Sequence, residues 1–141
     1  MDSENEFAQN NLDDLEITFY RNQKKAENEN QFAQYDLALS YEKGEGTEKN
    51  LEKAFYWYKK AAENGYNVAQ NNLGCLYEKG EGTGKDLEKA FYWYQRAAEN
   101  GYDFAQNNLG YLYKKGEGTE MNLEKAFYWY QKAAENGIEE A

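Results

Sequence analysis

The stretch FYWYQRAAENGY, Phe91 to Tyr102, sets four aromatic side chains in a row before two alanines and an Asn-Gly stop. The same phrase stands at Phe55 as FYWYKKAAENGY and at Phe127 as FYWYQKAAENGI, 36 residues away on either side. An aromatic cluster that returns at a fixed interval marks a repeated structural unit. Aligned at that period, Asn67–Tyr102 and Asp103–Ile138 agree at 27 of 36 positions, and Gln31–Tyr66 follows the same frame. Upstream, DLEITFYRNQKKAENENQFAQ from Asp14 keeps the frame of DLEKAFYWYQRAAENGYDFAQ from Asp86. Residues 12–30 therefore read as a degenerate repeat, and Arg21, Asn22 and Lys25, where full units carry Trp57, Tyr58 and Ala61, give it the polar face of an N-terminal cap. The opening FAQNNL, Phe7–Leu12, copies Phe104–Leu109 but runs straight into DDLE, so residues 1–11 are expected to fray. Residues 139–141 form the C-terminal end.

Each full unit divides into two helical patterns. Ala69, Leu73 and Tyr77 recur at i, i+4 and i+8 with Leu76 beside them, one apolar face of a first helix. Asn67 or Asp103 is positioned to cap that helix, with Gln70 or Gln106 three residues on as in a capping box, and Gly80 and Gly82 to end it. After the GEGT loop, Asp86, like Asn50 and Asn122 in the neighbouring units, caps a second helix. Its face is Leu87, Ala90, Phe91, Tyr94, Ala97 and Ala98, and Asn100-Gly101 stops it. At 100° per residue Phe91 and Tyr94 point into the core, Trp93 sits on the flank and Tyr92 points away. The small Ala90, Ala97 and Ala98, with Gly74 and Gly110 where the first unit has Ala38, allow close helix approach. The expected fold is all-α: an α/α solenoid of tandem 36-residue helix-loop-helix repeats, with repeat 1 at 31–66, repeat 2 at 67–102 and repeat 3 at 103–138.

The pattern A-x-x-x-L-G-x-x-Y-x-x-G-x-G, followed by D-L-E-K-A-x-x-W-Y-x-x-A-A-x-x-G, resembles the Sel-one-like repeat (SLR), a tetratricopeptide-like, HCP-like family. The wording of the units is similar to expanded fungal sets of these repeats. The resemblance implies a scaffold or adaptor that assembles other proteins, as in membrane-protein degradation, cell-wall synthesis or signalling. Cysteine-rich secreted members staple each repeat with paired cysteines; this chain has the single Cys75.

Composition narrows the partners. Sixteen Lys and Arg against 26 Asp and Glu give a net charge of −10, which repels phosphate backbones and anionic membrane surfaces. We expect no nucleic-acid partner and no membrane insertion, since no apolar run nears the ~18 residues of a spanning helix. The polar, acidic start MDSENEFAQN lacks the basic-then-apolar form of a signal peptide, and one cysteine cannot close an intramolecular disulfide. A cytoplasmic location is the expectation. The chain has no His, the commonest acid-base side chain and a common metal ligand. GEGTGKD, Gly80–Asp86, resembles a phosphate-binding loop, but Lys79 stands where that motif needs Gly and Asp86 where it needs Ser or Thr. Cys75 has no His to activate it, and its counterparts are Leu39 and Tyr111. No catalytic, cofactor-binding or metal residue is expected.

Where the units disagree, the scaffold leaves a position free. On the first helix Tyr35, Asn71 and Asn107 share one slot, Leu39, Cys75 and Tyr111 the next, and Glu42, Glu78 and Lys114 the third. These slots lie at i, i+4 and i+7, opposite the Ala-Leu-Tyr face, with Asp36, Asn72 and Asn108 flanking them. In tetratricopeptide-like solenoids the first helices line the concave surface, so the nine residues form the candidate protein-binding groove, with drift at exposed positions as the alternative reading of the same variation. A peptide or partner domain is the expected ligand. The alternative function is self-assembly into a homo-oligomer through the uncovered Leu123, Ala126, Phe127, Tyr130 side of the last repeat.

Overall fold

The computed structural model of the chain describes residues 3–137, with side chains described from residue 14 onward. Met1, Asp2 and the expected C-terminal end at 139–141 lie outside the described residues. Seven helices and no strand make up the described part: α1 (Ser3–Glu27), α2 (Gln31–Lys43), α3 (Leu51–Glu63), α4 (Asn67–Lys79), α5 (Leu87–Glu99), α6 (Asp103–Lys115) and α7 (Leu123–Glu135). The principal contacts join consecutive helices, which is the arrangement of a solenoid. The fold is the all-α tandem repeat that the 36-residue period implies.

Helix ends follow local chemistry. Asn50, Asp86 and Asn122 cap the second helices, their side chains accepting from the backbone N–H of Lys53, Lys89 and Lys125 at 3.0 Å. Gly44, Gly80 and Gly116 close the first helices in the left-handed conformation. The loop then folds back, with the Asp86 N–H donating to the Tyr77 carbonyl at 2.8 Å. Gly82 has φ +74°, and a Cβ there would collide with the Leu51 carbonyl of the preceding repeat, so the loop demands glycine on two counts.

The first helices start differently from the capping-box expectation. Asn67 and Asp103 are the first helical residues, and Tyr66 and Tyr102 hold the cap positions without a side-chain bond. Gln70 and Gln106 are buried, and each donates through Nε2 to a carbonyl of the preceding helix, Ala62 and Ala98, at 3.1 Å. Gln34 does the same to Ala26 of α1. The glutamines are thus rivets between repeats: each side chain adds a second hydrogen bond to a helix-end carbonyl that already accepts from a turn N–H, that of Glu29, Gly65 or Gly101. Residues 14–27 of α1 accordingly stand in the place of a second helix against α2, with Arg21 and Lys25 exposed.

In the FYWY cluster Tyr94 and Trp93 are buried, Phe91 is half-buried and Tyr92 is exposed. Phe91 and Trp93 therefore exchange the roles expected of them. The ring of Phe91 meets Tyr113 of the following repeat edge-on at 5.3 Å, as Phe55 meets Tyr77 and Phe19 meets Tyr41 at 5.4 Å. Tyr94 fills the space inside its own repeat. A Cβ on Gly74 would lie 2.7 Å from that ring, which explains a glycine in a helix interior.

Candidate protein-binding surface

The nine candidate residues fall along the first helices α2, α4 and α6, but the structure does not set them all apart from the core. Glu42 and Glu78 each accept a hydrogen bond from the buried tyrosine of their own repeat, Tyr58 at 2.9 Å and Tyr94 at 2.7 Å. Cys75 Sγ lies 3.2 Å from the same Tyr94 hydroxyl, and burial pushes the thiol pKa up. Asn71 is buried and its Oδ1 accepts from Asn108 Nδ2 of the next repeat at 2.9 Å. Leu39 and Tyr35 pack against the core, and Asn107 Oδ1 is buried without a hydrogen-bond partner. The expectation that the stripe lies opposite the core is therefore corrected: the slots are shared between packing and surface.

Repeat 3 is different. Tyr111 is 42% exposed where Leu39 and Cys75 are half-buried, and Lys114 is exposed where the other units have glutamates bonded to tyrosine. The Lys115 ammonium lies 5.9 Å from the centre of the Tyr111 ring. This corner offers an aromatic face and two cations on a chain of net charge −10.

A second group escaped the sequence reading. Tyr66, at the cap of α4, receives Tyr35 edge-on at 5.2 Å and Phe32 at 5.1 Å, and Tyr102 meets Phe104 at 5.7 Å. Phe32 and Phe104 are exposed, so the starts of α2, α4 and α6 carry an aromatic strip beside the nine positions. The available signal was the residue after Asn-Gly, which is Tyr66, Tyr102 and then Ile138.

On the second helices Tyr56, Tyr92 and Tyr128 are exposed and meet Trp57, Trp93 and Trp129 edge-on at 5.0 to 5.1 Å. Lys60, Arg96 and Lys132 lie over these tyrosines. Among the described residues no group of three or more Asp, Glu, Cys or His is placed to hold a metal ion. Nor is any described helix long and apolar enough to cross a membrane.

Helix pairs stacked at a 36-residue period, riveted by buried glutamines, define an α/α repeat protein. The Sel1 repeat model matches residues 31–66, 67–102 and 103–138, and the chain belongs to the Sel1 repeat family. Among solved structures it is similar to a Sel1 repeat protein from Oxalobacter formigenes, at 47% identity and TM-score 0.75, covering 77% of this chain and 43% of that one. It is similar also to c5321, a protective antigen of uropathogenic Escherichia coli strains displaying an SLR fold, at 39% identity and TM-score 0.81, covering 83% of this chain and 25% of that one. Cysteine rich protein B of Helicobacter pylori matches at 27% identity and TM-score 0.71, over 91% of this chain and 92% of that one. The chain thus spans less than half the length of the first two. No curated protein matches it. Sel1 repeats are in general non-catalytic scaffolds for protein–protein interaction.

Proposed function

We propose that this chain is a non-catalytic scaffold or adaptor that takes a peptide or partner domain along its first-helix surface, the concave side in solenoids of this kind. The observation that carries the reading is the corner at Tyr111. There the repeat breaks its own packing rule and presents a ring and a lysine to solvent. A tyrosine supplies large contact area at small entropic cost, and the neighbouring Lys114 and Lys115 favour an acidic segment in the partner. The aromatic strip from Phe32 to Phe104 would extend the contact along the chain. Glu42, Glu78 and Asn71, already bonded to the scaffold, would shape the groove floor. A cytoplasmic setting belongs to this reading, with Cys75 as a half-buried free thiol.

The test is selection of binders from a displayed random-peptide library, followed by titration of the selected peptides. Tyr111→Ala with Lys114→Ala should weaken binding by about 1–2 kcal/mol with little change in Tm. Tyr92→Ala with Tyr128→Ala, on the second helices, should bind as wild type. The reverse pattern would move the binding surface to the exposed tyrosines of FYWY.

A further inference from the structure

We propose that Asn100–Gly101, rather than its twin Asn64–Gly65, is a site at which the folded chain deamidates, passing through a succinimide to aspartate or isoaspartate. An Asn-Gly step is open to this reaction because glycine has no side chain to hinder attack by its own backbone nitrogen. The Gly101 nitrogen bonds to Asn100 Cγ as the Cγ–Nδ2 bond breaks, and Nδ2 leaves as ammonia with the proton that the Gly101 N–H gives up. Water then opens the ring at either carbonyl.

Asn64 and Asn100 stand in the identical stretch AAENGY, Ala61–Tyr66 and Ala97–Tyr102. Their backbones are alike, with φ −82° and ψ 7° at Asn64 and φ −88° and ψ 11° at Asn100. Gly65 and Gly101 each donate their N–H to a turn carbonyl at 3.0 Å. Local sequence and main-chain protection therefore cancel between the two steps, and the side chain decides.

The side chains differ. Asn64 Nδ2 donates to Gln34 Oε1 at 2.9 Å and lies 3.4 Å from Glu29 Oε2, and in the third repeat Asn136 Nδ2 donates to Gln106 Oε1 at 2.9 Å. In the second repeat the corresponding bond is missing at both of its ends. Among the described residues Asn100 Nδ2 has no partner, and the Oε1 of the fully buried Gln70 accepts no hydrogen bond. The Asn100 amide is free to turn its Cγ toward the Gly101 nitrogen, whereas Asn64 must first break its bond. Isoaspartate at this position would add a carbon to the main chain just before Tyr102, the cap residue of α6.

Incubation of the folded 141-residue chain at mildly alkaline pH, with each site followed by tandem mass spectrometry, tests this. Asn100 should convert about two- to tenfold faster than Asn64, the factor that one net hydrogen bond is worth. In concentrated urea the two should convert at the same rate, because their local sequences match. Gln34→Leu with Glu29→Ala, checked for helical circular dichroism, should raise Asn64 to the rate of Asn100; Gln34→Met takes the place of Gln34→Leu if the helical signal is lost. Equal rates in the folded chain, or a difference that persists in urea, would overturn the proposal. So would an Asn64 that stays slow in the folded variant, or an Asn100 that does not convert while the urea-unfolded chain does.

Discussion

Tyr94 donates to Glu78 from inside the stack, and Tyr58 donates to Glu42 in the same way one repeat earlier. Burial raises both phenol pKa values above the ordinary 10.0, with Glu42 the next cause at Tyr58 and Cys75, ahead of Glu78, at Tyr94. The folded chain therefore keeps two protons that the unfolded chain releases. Stability is independent of these groups below about pH 10 and falls as pH climbs above it. In an alkaline titration, the last two phenolates, those of Tyr58 and Tyr94, should appear only as helicity is lost. Tyr58→Phe with Tyr94→Phe should remove that last step; all tyrosines ionising before any loss of helicity would contradict it. The inward tyrosine was legible from the helical period. Its carboxylate partner was not, because Glu42, Glu78 and Lys114 share a slot whose variation reads as freedom. Phe91 and Trp93 were misplaced for a related reason: a helical angle locates a side chain on its own helix, while burial depends on what stands opposite.

At the scale of the helix, two kinds of ending coexist. The second helices begin with a local device, a single Asp or Asn bonded to the N–H three residues on, and a local motif suffices to find it. The first helices are held by Gln34, Gln70 and Gln106, which reach back eight residues to the previous helix. Their spacing from Asn67 and Asp103 imitates a capping box, so the sequence reading took a packing contact for a cap. Stability should tell them apart in urea unfolding. Asp86→Ala should cost about 1 kcal/mol. Gln106→Leu, close in size, leaves the Ala98 carbonyl one bond short and removes the acceptor of Asn136 Nδ2, for about 1–3 kcal/mol. Asn67→Ala, which makes no capping bond, should stay within about 0.5 kcal/mol. A larger loss at Asn67 than at Asp86 would restore the capping box.

In the whole molecule each repeat is stabilised chiefly through its neighbours, so identical local sequence should carry different energy at different places in the stack. The three FYWY clusters make this measurable. Phe55, Phe91 and Phe127 sit at the same point of the same helix, flanked by the same residues. Phe55 and Phe91 are half-buried under the next repeat, each edge-on to a tyrosine at 5.3 Å, while Phe127 is 69% exposed. Helix propensity is common to all three and cancels in the comparison. What remains is the interface between repeats. Truncation to Ala at Phe55 or Phe91 should cost about 2 kcal/mol, below the full core value because each ring is only partly enclosed. At Phe127 the loss should stay within about 0.5 kcal/mol when unfolding is followed at concentrations where the chain sediments as a monomer. Equal losses at all three positions would mean that the ring stabilises its own helix pair. A larger loss at Phe127 would mean that its exposed face is covered within the single chain.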